Sequence, residues 1–185
     1  MHRSHLLFLL EKYSVRYPEE EGVVTRFRDF VQGNKNCFDR ELLIGHITGS
    51  AWVVDQLFSK TLLTHHKKLN NWFQPGGHAD GDSDVAAVAM REAEEETGLN
   101  SLDLVSSEIF DLDIHLIPER KSEPAHYHYD CRFLIQCGAD ETFMVSEESN
   151  ELAWIVLNEV EQYTEEGSIK RMVQKSLEVA FLSQE

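Results

Sequence analysis

Arg91-Glu92-Ala93-Glu94-Glu95-Glu96 gathers four carboxylates and one guanidinium into six residues, and helical spacing decides which of them can act together. At about 100° per residue, Glu92, Glu95 and Glu96 fall on one face and Glu94 points away. Carboxylates three or four residues apart repel, by roughly a few tenths of a kcal/mol per pair. Arg91 can reach Glu95, but one guanidinium does not balance three acids. Hard divalent cations with oxygen ligands would, and Mg2+ commonly sits between a few carboxylates and substrate phosphates. The alternative is an ordinary solvated acidic face, common at Glu-rich helix ends.

The flanking residues predict how that face is positioned. Asp84 has the type and place of an N-cap, Val85 to Met90 are nearly all apolar and predict a buried stretch, and Gly98 suits a left-handed helix end. Upstream, Pro75-Gly76-Gly77-His78 is a tight glycine loop at a fixed distance from the acids.

Gly77 followed at that distance by Arg91-Glu92-Ala93-Glu94-Glu95-Glu96-Thr97-Gly98-Leu99 resembles the Nudix box, the signature of Nudix hydrolases. Every defined position of the box matches except its first glutamate, which falls on Ser83. Trp72-Phe73-Gln74-Pro75-Gly76 is similar to the strand that enters the box in that family. The resemblance implies an α/β/α sandwich with a mixed, curved sheet between the box helix and the C-terminal helices. It implies a metal-dependent hydrolase that cleaves the pyrophosphate bond of a nucleoside diphosphate linked to another moiety. Mg2+ (or Mn2+) would be held by Glu92, Glu95 and Glu96 with the backbone carbonyl of Gly76. Glu95 is the first choice for helping to deprotonate water, Arg91 would hold the glutamates in place, and Gly77 and His78 would meet the substrate. Asp82 or Asp84 could stand in for the missing glutamate if the loop shifts by one residue. Two other classes stay open: a binding module of the same fold without hydrolysis, and an isomerase of the isopentenyl diphosphate type, for which no cysteine sits in a matching context.

Elsewhere the chemistry is less specific. Asp111 to Leu116 alternates polar and apolar residues as a half-buried strand does, and after a polar loop from Pro118 to Pro124 a second strand carries His126, His128 and Asp130 on one face. Antiparallel pairing would bring Asp113 and His115 near those histidines. Substrate contact by His126 and His128 is the preferred reading, with a solvated face and a second metal as alternatives. His65-His66-Lys67-Lys68 is the most basic patch; it could receive substrate phosphate, and a solvated turn is the preferred reading. A glutamate-bearing loop, Glu147-Glu148-Ser149-Asn150-Glu151, precedes a Trp-containing strand and also looks like the family, where such a loop can supply a further ligand or a base.

The remaining elements follow from periodicity. Helices are predicted over His2 to Tyr13 and Glu19 to Gln32, with a shorter element near Asp39 to Leu43, giving a helical extension over residues 1–45 and a catalytic domain over 46–185. Ala51 to Phe58 and Thr61 to Thr64 predict a hairpin. A helix containing Val160 and Tyr163 is predicted to start near Asn158, and a last helix from Ser168 presents Ile169, Met172, Val173, Leu177 and Phe181 as its apolar side. The formal net charge of −16 argues against nucleic acid and anionic membranes as partners, leaving a small-molecule diphosphate. Three cysteines with no metal-ligand spacing suit a reducing cytoplasm. Leu6-Leu7-Phe8-Leu9-Leu10 is too short to span a bilayer. The N-terminal helices either pack onto the core, the preferred reading, or form a homodimer surface.

Overall fold

The computed structural model describes residues 2–120, 124–147 and 149–182. Helix α1 (Ser4–Arg16) and a 3-10 turn (Pro18–Glu20) lead into α2 (Glu21–Gly33). Strands β1 (Gly45–Val54), β2 (Lys60–His66), β3 (Asn71–Phe73) and β4 (Gly76–His78) precede α3 (Val85–Thr97). Strands β5 (Leu102–Leu104), β6 (Asp111–Ile117), β7 (His126–Cys137) and β8 (Ser149–Val156) follow, then a 3-10 segment (Leu157–Gln162) and α4 (Gly167–Leu182).

The strands form one eight-stranded mixed sheet. β1 and β7 run parallel along their whole length, from Gly45↔Tyr127 to Val54↔Gln136, and β4 crosses the middle of β1 antiparallel, with Ser50↔Gly76 and Thr48↔His78. β6 pairs antiparallel with the other edge of β7, placing His115 opposite His128 and Asp113 opposite Asp130, as the alternation predicts. The β1–β2 hairpin forms with Val54↔Thr61, but β1 is longer than its apolar run and ends at Val54. The turn after it is built by Asp55, whose carboxylate accepts from the Ser59 and Lys60 amides at 2.6 and 3.0 Å and from the Ser59 hydroxyl at 2.7 Å.

Helices cover both faces. One face, with Ile47, Cys131 and Phe133, packs on Val85, Val88 and Ala89 of α3 and on Leu6, Phe27 and Phe30 of α1 and α2. The other, with Trp52, Val54 and Leu134, packs on Ile169 and Met172 of α4. The N-terminal helices therefore share a core with the sheet, and the Phe30 ring stacks on Tyr129 at 3.8 Å.

Three expectations need correction. Asp39 to Leu43 forms turns without a helix, and the segment after Val156 is 3-10 rather than α-helical. In α4, Leu177 and Phe181 are exposed, while Lys175 and Ser176 are buried. Lys175 turns inward because Asp111, fully buried, needs a cation: its Nζ lies 2.9 Å from Asp111 Oδ1 and 2.7 Å from Glu20 Oε1. Part of the Pro118–Pro124 loop and Glu148 lie outside the described residues.

Candidate active site

Helix α3 is set by its two ends. The Asp84 carboxylate accepts from the Ala87 amide at 3.1 Å, and Gly98 closes the helix at φ +68°, donating to the Glu94 carbonyl. Between them the small residues of α3 let it approach β1 so closely that a Cβ on Gly49 would lie 2.8 Å from the Val85 carbonyl oxygen. That approach brings the acidic face against β4. A Cβ on Gly77 would lie 2.5 Å from Glu92 Cδ, so the Glu92 carboxylate occupies the space that a side chain would fill. Glu96 Oε1 accepts from the Gly76 amide at 3.5 Å. Arg91 Nη2 reaches the His78 carbonyl and Glu92 Oε1, both at 3.3 Å, and so ties the glycine turn to the helix. It pairs with Glu92 and not, as its spacing also allows, with Glu95.

Glu92 and Glu96 are half-buried and Glu95 is exposed. Burial pushes the Glu92 carboxyl up; Arg91 opposes this, and the charges of Glu95 and Asp80 add to it. Asp80 is the acid of the loop that sequence reading passed over. It pairs with Arg40 and stands close enough to act on Glu92. Asp82 accepts from the Asp84 amide at 2.9 Å and Asp84 caps α3, so each carboxylate gives an oxygen to building the turn.

Along the opposite face of β1 and β7 runs a buried polar file. Asp130 accepts from Thr48 at 2.8 Å, Ser50 at 2.7 Å, Gln74 at 3.3 Å and Arg132 Nε at 2.7 Å. Arg132, 3% exposed, also reaches Asp111 and Asp113 at 3.3 Å each. Toward the start of β1 this file becomes imidazole. His46, His78, His126 and His128 pack ring to ring, and His115 adds its ring at 5.3 Å from that of His128. Burial, then the neighbouring rings, lowers His128 to about 2 and His46 to about 4, with the Leu42 carbonyl pulling His46 weakly the other way. These two imidazoles are neutral at pH 7. His126 and His128 are thus turned into a cluster with His46, a residue that the sequence did not mark; the signal was a parallel register with a strand eighty residues downstream.

The remaining candidates lie apart from this arrangement or beside it. His66 Nδ1 accepts from the Lys68 and Leu69 amides, and Lys67 Nζ donates to the Glu147 carbonyl at 2.6 Å, a tied turn. Glu151 sits opposite His65 on the β2–β8 edge. The loop before Glu147 docks on the end of α3, where the Met144 amide donates to the Thr97 carbonyl at 2.7 Å.

A family model described as the NUDIX domain matches residues 48–175. The chain is 25% identical over 115 residues, 62% of its own length and 75% of the relative's, to the bis(5'-nucleosyl)-tetraphosphatase (asymmetrical) of Rattus norvegicus. Among solved structures it is similar to an Ap4A hydrolase of C. elegans in a binary complex, with TM-score 0.59, 18% identity and coverage of 75% of this chain and 98% of that one. A hydrolase of the NUDIX family from Clostridium perfringens gives TM-score 0.57 at 22% identity, over 72% and 97% of the two chains.

Proposed function

The chain belongs to the Nudix family, and from this premise we propose that it is a metal-dependent pyrophosphohydrolase acting on a nucleoside diphosphate linked to another moiety. The observation that carries this reading is the Glu92 carboxylate lodged in the space left open by Gly77, with Glu96 turned to the Gly76 amide. The carboxylates of Glu92, Glu95 and Glu96 offer oxygen donors alone, with one guanidinium among them, which is the donor set a hard cation takes. These three residues, with the Gly76 carbonyl, would hold Mg2+ or Mn2+. Bound there, the ion would neutralise diphosphate charge and make water more acidic.

This chain's residues do the rest. Arg91 holds the turn and the Glu92 carboxylate in one rigid unit. Glu95, exposed at the mouth, takes the proton of the attacking water as oxygen adds to phosphorus. The anhydride P–O bond breaks, and each product leaves with a phosphate. The open side of Gly77 is taken by Glu92, so substrate contact at the turn would fall to its backbone and to half-exposed His78, with His126 and His128 behind it in the cluster on the sheet's other face. Ser83 supplies no carboxylate, which favours a second reading, a binding module with a disabled site. Retention of Arg91, Glu92, Glu95 and Glu96 favours hydrolysis. Cytoplasmic residence and a homodimer belong to this proposal as well; the three buried, unpaired cysteines favour the first, and among the described residues no helix is long and apolar enough to cross a membrane.

The test is a phosphate-release screen with Mg2+ across dinucleoside polyphosphates, nucleoside diphosphate sugars, deoxynucleoside triphosphates and coenzyme A. The rat relative's name puts dinucleoside tetraphosphates first. Turnover of at least one class is expected. Binding of the same compounds without turnover would establish the second reading.

A further inference from the structure

His46, His78 and His128 each bring a ring nitrogen within 4.8 Å of the others. The sheet makes this cluster. His46 lies beside His128 in the parallel pair, and His78 lies beside Thr48, two residues along the same face of β1. The His46 ring stands 4.9 Å from His78, 4.8 Å from His128 and 4.9 Å from His126, centroid to centroid. His46 is 2% exposed, and neither Nδ1 nor Nε2 makes a well-formed hydrogen bond, although the Leu42 carbonyl lies near enough to act weakly on the ring. A neutral imidazole carries one N–H and one lone pair, and both normally find partners when buried. The Leu42 carbonyl can accept from the N–H at best; the lone pair faces only other imidazoles.

We propose that His46, His78 and His128 form a binding site for a divalent transition ion of the Zn2+ class, separate from the glutamate face. Imidazole nitrogen suits Zn2+, Co2+, Ni2+ and Cu2+ and is a poor donor set for Mg2+. Three histidine nitrogens with an open fourth position is a form that zinc takes where it also meets water or a ligand. Zn–N bonds of about 2.0–2.1 Å in a tetrahedron put ligand nitrogens roughly 3.3 Å apart, so the three rings close by about 1.5 Å at most, within reach of ring rotation. His126 is a fourth candidate. The Pro124 carbonyl, 2.9 Å away, can only accept, so His126 Nδ1 carries the proton and Nε2 offers its lone pair, 3.3 Å from His128 Nε2. Behind them His115 Nδ1 lies 3.0 Å from the Asp113 carboxylate, which Arg132 holds in turn.

The site contributes no carboxylate, so a bound ion keeps its double positive charge beside the glycine turn. An anionic ligand arriving at that turn would meet it.

The experiment is a Zn2+ titration of the metal-free 185-residue chain against a chromophoric chelator, with Co2+ as a spectroscopic probe. One tightly bound equivalent is expected, with the intense visible absorption of low-coordinate Co2+. His46→Asn and His128→Gln should each weaken binding by roughly 100-fold. His78→Gln, at a half-exposed position, removes a ligand without opening the buried layer and should do the same if the other two variants fail to fold. The Glu95→Gln/Glu96→Gln double variant should bind Zn2+ as the wild type does. No stoichiometric Zn2+ in folded wild type, equal affinity in the histidine variants, or loss in the glutamate variant would overturn the proposal. Mg2+-dependent turnover without Zn2+ binding refutes this inference and leaves the hydrolase; Zn2+ binding without turnover does the reverse.

Discussion

Gly77 has no side chain, and Glu92 fills the place where one would stand. Gly77→Ala should push the flexible end of Glu92 aside at a stability cost under about 1 kcal/mol, yet weaken Mg2+ binding severalfold; calorimetry and a thermal melt on the same protein separate the two. Ser83→Glu restores the box carboxylate between Asp82 and Asp84, which both build the turn. Its hydrolysis rate should equal or exceed the wild type's, and a large loss would mean that the loop has adapted to serine. The glutamate face was legible because every member sits on one helix, where spacing is geometry. The histidine cluster was legible only in part. His126 and His128 announce each other two residues apart, but His46 joins them through a parallel register that local pattern does not carry.

A glycine within β1 and the turn that follows the strand control how α3 and the hairpin meet the sheet. Gly49→Ala would set a Cβ 2.8 Å from the Val85 carbonyl oxygen, and backbone cannot swing away as a side chain can. A loss of about 1–3 kcal/mol is expected, read as a lower denaturation midpoint, with hydrolysis falling too because the acidic face lifts from β4. At the β1–β2 turn, burial alone would raise the Asp55 carboxyl, but the Ser59 hydroxyl and the Ser59 and Lys60 amides hold it below the ordinary aspartate value. Asp55→Asn should cost about 1–3 kcal/mol at pH 7. Because the folded value is the depressed one, that difference persists above about pH 4, the unfolded aspartate's value, and shrinks as pH falls through the folded value. Denaturant melts of both proteins between pH 7 and pH 3 check the sign. The caps of α3 could be read from Asp84 and Gly98 alone. The inward face of α4 could not, since Lys175 is buried by its partners, Asp111 and Glu20, and no periodicity announces a partner.

Across the whole molecule, a buried charge file and the N-terminal helices join the parts. Burial works against Arg132's charge, but Asp130, Asp111 and Asp113 outweigh it, and Arg171 and Lys175 reach the same Asp111. Arg132→Met strands these carboxylates and should destabilise by about 3–5 kcal/mol, measured by denaturant unfolding. Removal of residues 1–33 would uncover the core that α1 and α2 share with Ile47 and Phe133; an insoluble or unfolded product is expected, against a soluble folded domain if the extension is dispensable. All of this framework serves one arrangement, the acidic face of α3 held against Gly76 and Gly77. The most direct measurement of its role is the rate of phosphate release from the best substrate as a function of Mg2+, for wild type and for Glu92→Gln, Glu95→Gln and Glu96→Gln. The expected result is a rate that vanishes without the ion, saturates with it, and falls by roughly 100-fold in the variants; wild-type turnover that is independent of Mg2+, or variants as fast as the wild type, would contradict it.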